Sequence, residues 1–490
     1  MMIISIIVFF VFLFILTMII KLQKQVYFGV IAIFLFLIIG LIYLESNTVS
    51  IKSFLKEEQS IEQSNQRYIE DFMFIYKSIK EGYSYLEEKQ EKYGFDWEEL
   101  KNETLEEVMS CKDDKTFFRI ITKFLANLHD GHTYVMQPLN SVKALPIVIE
   151  KIEDKFVVSK TYFDKYPKIK KGYEVVSING IKLKEIIETS EKYITGSTER
   201  QAEKKRLIHI YETLNFFIEE NIDYTKKAKL LLKDASGNLI EVKVEWISYS
   251  DYYKLYLGDV PKLEVKWLDE DKKIAYLAIR SFAVEGNNEF LEFIDKVFKD
   301  YSEMKGLIID IRSNQGGLSY FSNYLIRYLI DSPIADLKYR FKLSEAFHKL
   351  HYMGSVFNGV EGYTEWIDDG LIKPKSNNVA DIPKILLIDE LTFSAADRLA
   401  SIIADYEIAT IVGENGTGGG SGEPIRTKLP NTRWYFSYSA MQIKRKNEAL
   451  IEGNGVEPNI LVKRNFDDFI ENQDTVLKKA IEIIENEIEY

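Results

Sequence analysis

The chain has 490 residues, 46% of them hydrophobic, and a formal net charge of −12. That length exceeds one ordinary domain, so two or three globular units are expected, and no basic domain stands out to bind nucleic acid. A single cysteine, Cys111, excludes an internal disulfide framework; with no metal-ligand spacing around it, it reads as a buried thiol.

Residues 1–20 are almost entirely apolar, and a second apolar run extends from Val26 to Leu44. Each is long enough to cross about 30 Å of hydrocarbon as a helix. The first lacks the basic start and small-residue cleavage site of a signal peptide. Residues 1–45 therefore read as a transmembrane helical hairpin. Its connection, Lys21 to Gln25, carries two lysines and no acid. That places the connection in the cytoplasm and everything beyond Leu44 on the extracytoplasmic side of a cell membrane.

Residues 46–136 read as a juxtamembrane stretch followed by a helical unit, with Ile69, Phe72, Ile75, Tyr76 and Ile79 at helical spacing. Residues 137–270 change character. Short apolar runs, an Asn179-Gly180 turn and a hairpin signal at Ala235–Asn238 mark a strand module, interrupted by a helical insertion over 185–225. Over 271–465, strand-like and helix-like runs alternate, the pattern of β-α-β units on a partly parallel sheet. Residues 466–490 read as an acidic C-terminal helix.

Two strand-to-helix turns in the α/β region carry the chemistry. Gly306–Asp310 leads into Ile311-Arg312-Ser313-Asn314-Gln315-Gly316-Gly317, and Ile385–Ile388 leads towards Thr392-Phe393-Ser394-Ala395-Ala396-Asp397. A serine at such a turn exposes its hydroxyl beside the unpaired amides of a helix N-terminus, and a Gly-Gly loop brings further amides close. This is the chemistry of acyl transfer from an activated serine. The base must come from five histidines: His129, His132, His209, His348 and His351. His132 has the most specific setting, in Asp130-Gly131-His132-Thr133, where a helix ends and a strand begins. His348 and His351 share a helical face without an acidic ligand, so no metal is expected.

The ordered set Asp130–Thr133, Gly172–Gly180, Asp310–Gly317, Thr392–Asp397, Ile411–Gly418 and Glu452–Ile460 resembles the S41 family of serine peptidases, which includes the C-terminal (tail-specific) processing peptidases and the tricorn core protease. The resemblance runs from about residue 67 to about 462. It implies a ClpP/crotonase-like α/β core, with Ser394 as nucleophile and an oxyanion hole from Gly316 or Gly317 and Ala395. It also implies that Gly172–Gly180 closes a PDZ-like module, degenerate because only one strand and turn match. The processing peptidases carry a lysine base where this chain has Gly419, and glycine cannot replace it. The resemblance therefore lies with the tricorn-like branch, with His132 as base and Glu452 as the orienting acid; Glu457 and Glu423 are rivals for the last role. The expected protein is a membrane-anchored serine peptidase acting on protein or peptide substrates without a cofactor. A binding protein on the same fold, for peptide or a hydrophobic ligand, is the alternative. Neither substrate nor oligomeric state is legible.

Overall fold

The structure is a computed structural model that describes residues 65–137, 142–218, 222–284, 286–351, 353–357 and 359–489. The expected transmembrane hairpin over 1–45 and most of the juxtamembrane stretch lie outside the described residues. Among the described residues no helix is long and apolar enough to cross a membrane.

The helical unit comprises α1 (65–82), α2 (Leu86–Tyr93), α3 (Trp97–Met109) and α4 (Asp114–Ala126). Asp96 and Asp113 begin α3 and α4, each accepting an amide three residues on at 2.8 Å. The apolar positions of α4 recur at helical spacing, so Phe117, Phe118, Ile121, Phe124 and Leu125 are buried together. They do not pack on the helical unit alone. A short strand, β1 (Tyr134–Met136), follows α4 and pairs with a strand some 300 residues later, and Trp434, Phe436 and Tyr438 enter the same core.

The second layer is a six-stranded antiparallel sheet. Its main strands are β2 (Ile147–Ile152), β3 (Lys155–Thr161), β4 (Glu174–Ile178), β5 (Ala228–Lys233) and β6 (Leu239–Val244), in that spatial order. Asn179 and Gly180 both take positive φ, 52° and 88°, as a tight hairpin turn demands. Between β4 and β5 run α5 (Leu183–Ser190), α6 (Glu199–Ile208) and a π-helical turn, and α7 (Tyr249–Leu257) follows β6. The sheet is thus far more complete than one strand and turn. The apolar runs before Gly172 and the hairpin around Ala235–Asn238 supply its other main strands, on either side of the helical insertion.

The third layer is the α/β sheet. Its strands are β7 (Leu263–Asp269), β8 (Ile274–Ile279), β9 (Gly306–Asp310), β10 (Lys384–Ile388) and β11 (Thr410–Gly413), closed at the far edge by β14 (Ile460–Leu461). Before β14, β12 (Pro424–Lys428) and β13 (Tyr435–Ser439) form a separate three-stranded sheet with β1, in the order β1-β13-β12. The first pair, β7 and β8, is antiparallel; the rest are parallel. Every residue of β8, β9 and β10 is buried, as continuous apolar runs covered on both faces must be. Helices α8 (Asn287–Asp300), α9 (Ser319–Ile326) and α10 (Ala395–Asp405) cover one face.

The C-terminal helix, α11 (Thr475–Glu489), covers the other. Val476, Ala480 and Ile484 are buried against Ile308, Ile385 and Leu387. Its approach is close: a side chain on Gly306 would place Cβ 2.8 Å from Ile488 Cδ1. The acidic residues lie on the outer face, so this helix is a structural layer with an acidic surface. Ile484→Ala should therefore lower the unfolding free energy by about 2–4 kcal/mol, whereas Glu482→Ala on the exposed face should change it by less than about 0.5 kcal/mol. Urea unfolding of both variants checks this; equal midpoints would deny α11 its structural role.

Candidate active site

Parallel pairing sets Ile309 beside Leu386 and Asp310 beside Leu387, so the loops after β9 and β10 leave the same sheet edge together. Ser394 ends the second loop, immediately before α10. Its backbone has φ 58° and ψ −122°, and its side chain makes no capping bond to the helix. A non-glycine residue there is strained and persists only when its surroundings dictate it. Three contacts do so. Phe393 N donates to Asn314 O at 2.9 Å, Ser394 N donates to Gly420 O at 2.7 Å, and Thr392 Oγ1 donates to Ile311 O at 3.1 Å. Asn314 is fully buried; its Nδ2 donates to Ile279 O at 2.9 Å and its Oδ1 accepts the Gly316 amide at 2.9 Å.

That last bond separates the two glycines. The Gly316 amide is occupied. Among the described residues, no hydrogen-bond acceptor takes the amides of Gly317 and Ala395. Both residues line one cavity with Ser394 and His132, of about 1020 Å³. Glycine is required at 317, where φ is 139° and a Cβ would meet Phe282 C at 2.1 Å.

His132 arrives from another layer, on the link between α4 and β1. The Asp130 carboxylate organises that link, accepting from His132 N at 2.8 Å, Thr133 Oγ1 at 2.8 Å and Ser439 Oγ at 2.7 Å. The imidazole is 7% exposed and packs 4.5 Å from the Phe393 ring, centroid to centroid. Its Nδ1 is buried without a hydrogen-bond partner. Burial pushes the imidazole pKa down to about 4; Asp130 pulls upward, and Arg426 and Lys205 push further down. A neutral ring at neutral pH is the state a base needs.

Glu452 is buried behind this link rather than on the imidazole. One carboxylate oxygen accepts from Lys89 Nζ at 2.8 Å, the other from Ser197 Oγ at 3.0 Å. Ser197 Oγ in turn accepts the Gly131 amide at 3.0 Å. The acid therefore reaches the histidine link through Ser197. Burial pushes its pKa up to about 8, against the pull of Lys89. Of its rivals, Glu457 pairs with Arg200 Nη1 at the surface, and Glu423 lines the cavity paired with His351 at 3.3 Å.

Gly419, where the related peptidases carry lysine, has φ 76°, and a Cβ there would sit 2.4 Å from Thr198 Cγ2. The loop around it is clamped by Asp397, three residues past Ser394. Its carboxylate accepts from Thr417 Oγ1 at 2.6 Å, Gly419 N at 2.6 Å and Gly420 N at 3.0 Å. Asp397 thus holds the loop whose Gly420 carbonyl fixes Ser394. Sequence reasoning assigned no role to Asp397, Asn314, Ser197 or Lys89; only the Asp397 spacing, on the same helix as the serine, offered a local signal. Among the described residues no cluster of potential ligands could hold a metal ion.

An NMR titration of the His132 imidazole should give a midpoint near 4, and stability should fall as pH drops from about 6.5 towards 4. The sign follows from linkage: in that window the unfolded chain binds the proton that the folded chain refuses. An imidazole titrating near 6.5 would contradict the buried placement.

The chain matches known proteins in sequence and in fold. Residues 273–462 match the description "Peptidase family S41", and residues 141–255 match "PDZ domain". A Chlamydia pneumoniae protein is 25% identical over 43% of this chain and 44% of its own length. The tricorn protease homolog of Saccharolobus solfataricus is 24% identical over 43% of this chain and 17% of its own length. The matched part thus spans less than half of either curated relative. Among solved structures, mature CPAF complexed with lactacystin superposes with a TM-score of 0.68 at 19% identity, covering 86% of this chain and 100% of that one. The CPAF s499a mutant gives 0.70 at 17% identity, covering 87% and 98%. The α/β sheet thus lies in a region, residues 273–462, that matches peptidase family S41, and the antiparallel sheet in a region, residues 141–255, that matches a PDZ domain.

Proposed function

We propose that this protein is a serine endopeptidase that cleaves protein or peptide substrates through an acyl-enzyme. The observation that carries the reading is one cavity holding Ser394 on a strained turn, a buried neutral His132 and the two open amides of Gly317 and Ala395. In the first half-reaction His132 takes the Ser394 hydroxyl proton as Oγ bonds to the scissile carbonyl carbon. The carbonyl oxygen, now anionic, accepts from the Gly317 and Ala395 amides. The C–N bond breaks as His132 returns the proton to the leaving amine. Water then repeats the sequence on the ester, releasing the acid and restoring Ser394.

Glu452 acts in this scheme through Ser197 and the Gly131 amide, fixing the link that carries His132. The alternative, a binding protein on this fold, is disfavoured because a binding site has no use for a strained serine beside an unpartnered base. Fluorophosphonate labelling of the full chain tests the choice. Ser394→Ala should abolish labelling and peptide cleavage, by about 10⁴-fold or more if the groups act as a unit, and His132→Ala should cost nearly as much. Labelling that survives in Ser394→Ala would place the nucleophile elsewhere.

The apolar runs at 1–20 and 26–44 support a further proposal: a membrane-anchored enzyme with its catalytic region on the extracytoplasmic side, acting on envelope, secreted or membrane-protein ectodomains. Ser236→Cys in a Cys111→Ser background, in the exposed β5–β6 hairpin, should react with a membrane-impermeant thiol reagent on intact cells with the wall opened. Reaction only after lysis would put the catalytic region in the cytoplasm.

A further inference from the structure

The C-terminal half of α6 carries three consecutive cations, Lys204, Lys205 and Arg206, and they are treated differently. Lys204 lies 3.6 Å from Glu390, and Arg206 lies 2.6 Å from Glu199. Lys205, between them, lines the Ser394 cavity and has no hydrogen-bond or ion-pair partner among the described residues, although it is only half-exposed. Arg426, on β12, also lines the cavity; it is exposed and pairs with no acid among the described residues.

The other ionic side chains of the cavity are partnered. Asp369 lies 3.3 Å from Arg398, Glu423 lies 3.3 Å from His351, and His209 lies 3.2 Å from Glu212. Two positive groups are therefore left open in a wall that also carries the nucleophile. A partly desolvated ammonium without a counter-ion is costly, and a carboxylate arriving beside it recovers that cost. Asp130, Glu212 and Glu452 act on Lys205 without touching it and offset its burial only in part.

We infer that Lys205, with Arg426, forms a subsite of the substrate cleft that takes a carboxylate of the bound peptide, from an acidic side chain or a free C-terminus. This inference rests on the peptidase reading of the same cavity. It has a consequence for rate as well as for binding. Both cations act on His132, where they disfavour the imidazolium that forms as Ser394 gives up its proton. A carboxylate between them offsets that effect, so an acidic substrate should gain in kcat and not only in KM.

The test separates binding from chemistry by using the full chain with Ser394→Ala. Fluorescein-labelled octapeptides are compared in pairs by anisotropy, with Glu against Gln at each position in turn and a free against an amidated C-terminus. At least one pair should favour the carboxylate about tenfold or more. That preference should fall to within about twofold with Lys205→Met, return with Lys205→Arg, and reverse towards a Lys-bearing peptide with Lys205→Glu. Preference confined to the free terminus would identify the carboxylate as terminal; preference at an internal position would identify it as a side chain. No carboxylate preference in any pair, including no binding at all, overturns the proposal, as does a preference that survives Lys205→Met in a folded protein. Fluorophosphonate labelling of the unmodified chain is read in parallel. Its failure would refute the peptidase reading without altering the binding comparison.

Discussion

A serine backbone held at positive φ is the constraint around which the rest is arranged. It costs about 1–3 kcal/mol, and nothing within the serine recovers that. The neighbours do. Asn314, buried between the two loops, accepts the amide of Phe393 with its carbonyl and ties its side chain to β8 and to Gly316. Gly420 accepts the amide of Ser394 itself. These contacts need two adjacent parallel strands ending at one edge, and they need the first loop to return close enough for Gly316 to face Ser394. Below that edge, Asp310 is fully buried and neutralised by Arg280 and Arg312, with Tyr276 donating to it at 2.7 Å. The edge is therefore braced by charge as well as by the apolar sheet.

The histidine is positioned by different means. Its link depends on Asp130, whose oxygens are taken up by one amide and two hydroxyls, and on the path Glu452–Ser197–Gly131. Lys89 and Glu452, both buried, form an ion pair whose separation would leave a bare charge inside the protein. The Gly-rich loop, where related peptidases place a lysine base, serves here as a brace. Asp397 grips it from the serine's own helix, and Gly419 gives it the turn it needs.

The α/β sheet was legible because its strands are unbroken apolar runs and its helices have clear periodicity. Ser394, His132 and the Gly-Gly loop were legible because each sits in a short local pattern at a strand or helix end. The sequence could not separate Gly316 from Gly317, since the difference lies in which amide Asn314 captures. It could not place Glu452 either: its partners, Lys89 and Ser197, are 363 and 255 residues away, and no local spacing records such a contact. The acidic composition of 475–489 concealed an apolar stripe at every fourth residue, Val476, Ala480 and Ile484, which is what the fold uses.

The pairing of β1 with β13 sets Tyr134 opposite Ser437, a separation of 303 residues (437 − 134). Closing a loop of that length costs roughly 5 kcal/mol in chain entropy, and the return comes only when both ends are structured. The contacts within the α/β sheet span far shorter distances along the chain, so Ser394 can be in place before His132 is delivered. Partly folded copies would then carry Ser394 without His132. On the proposed peptidase reading, the order of assembly is a safeguard: a chain that cannot bring its distant segments together is also a chain that cannot cut its neighbours.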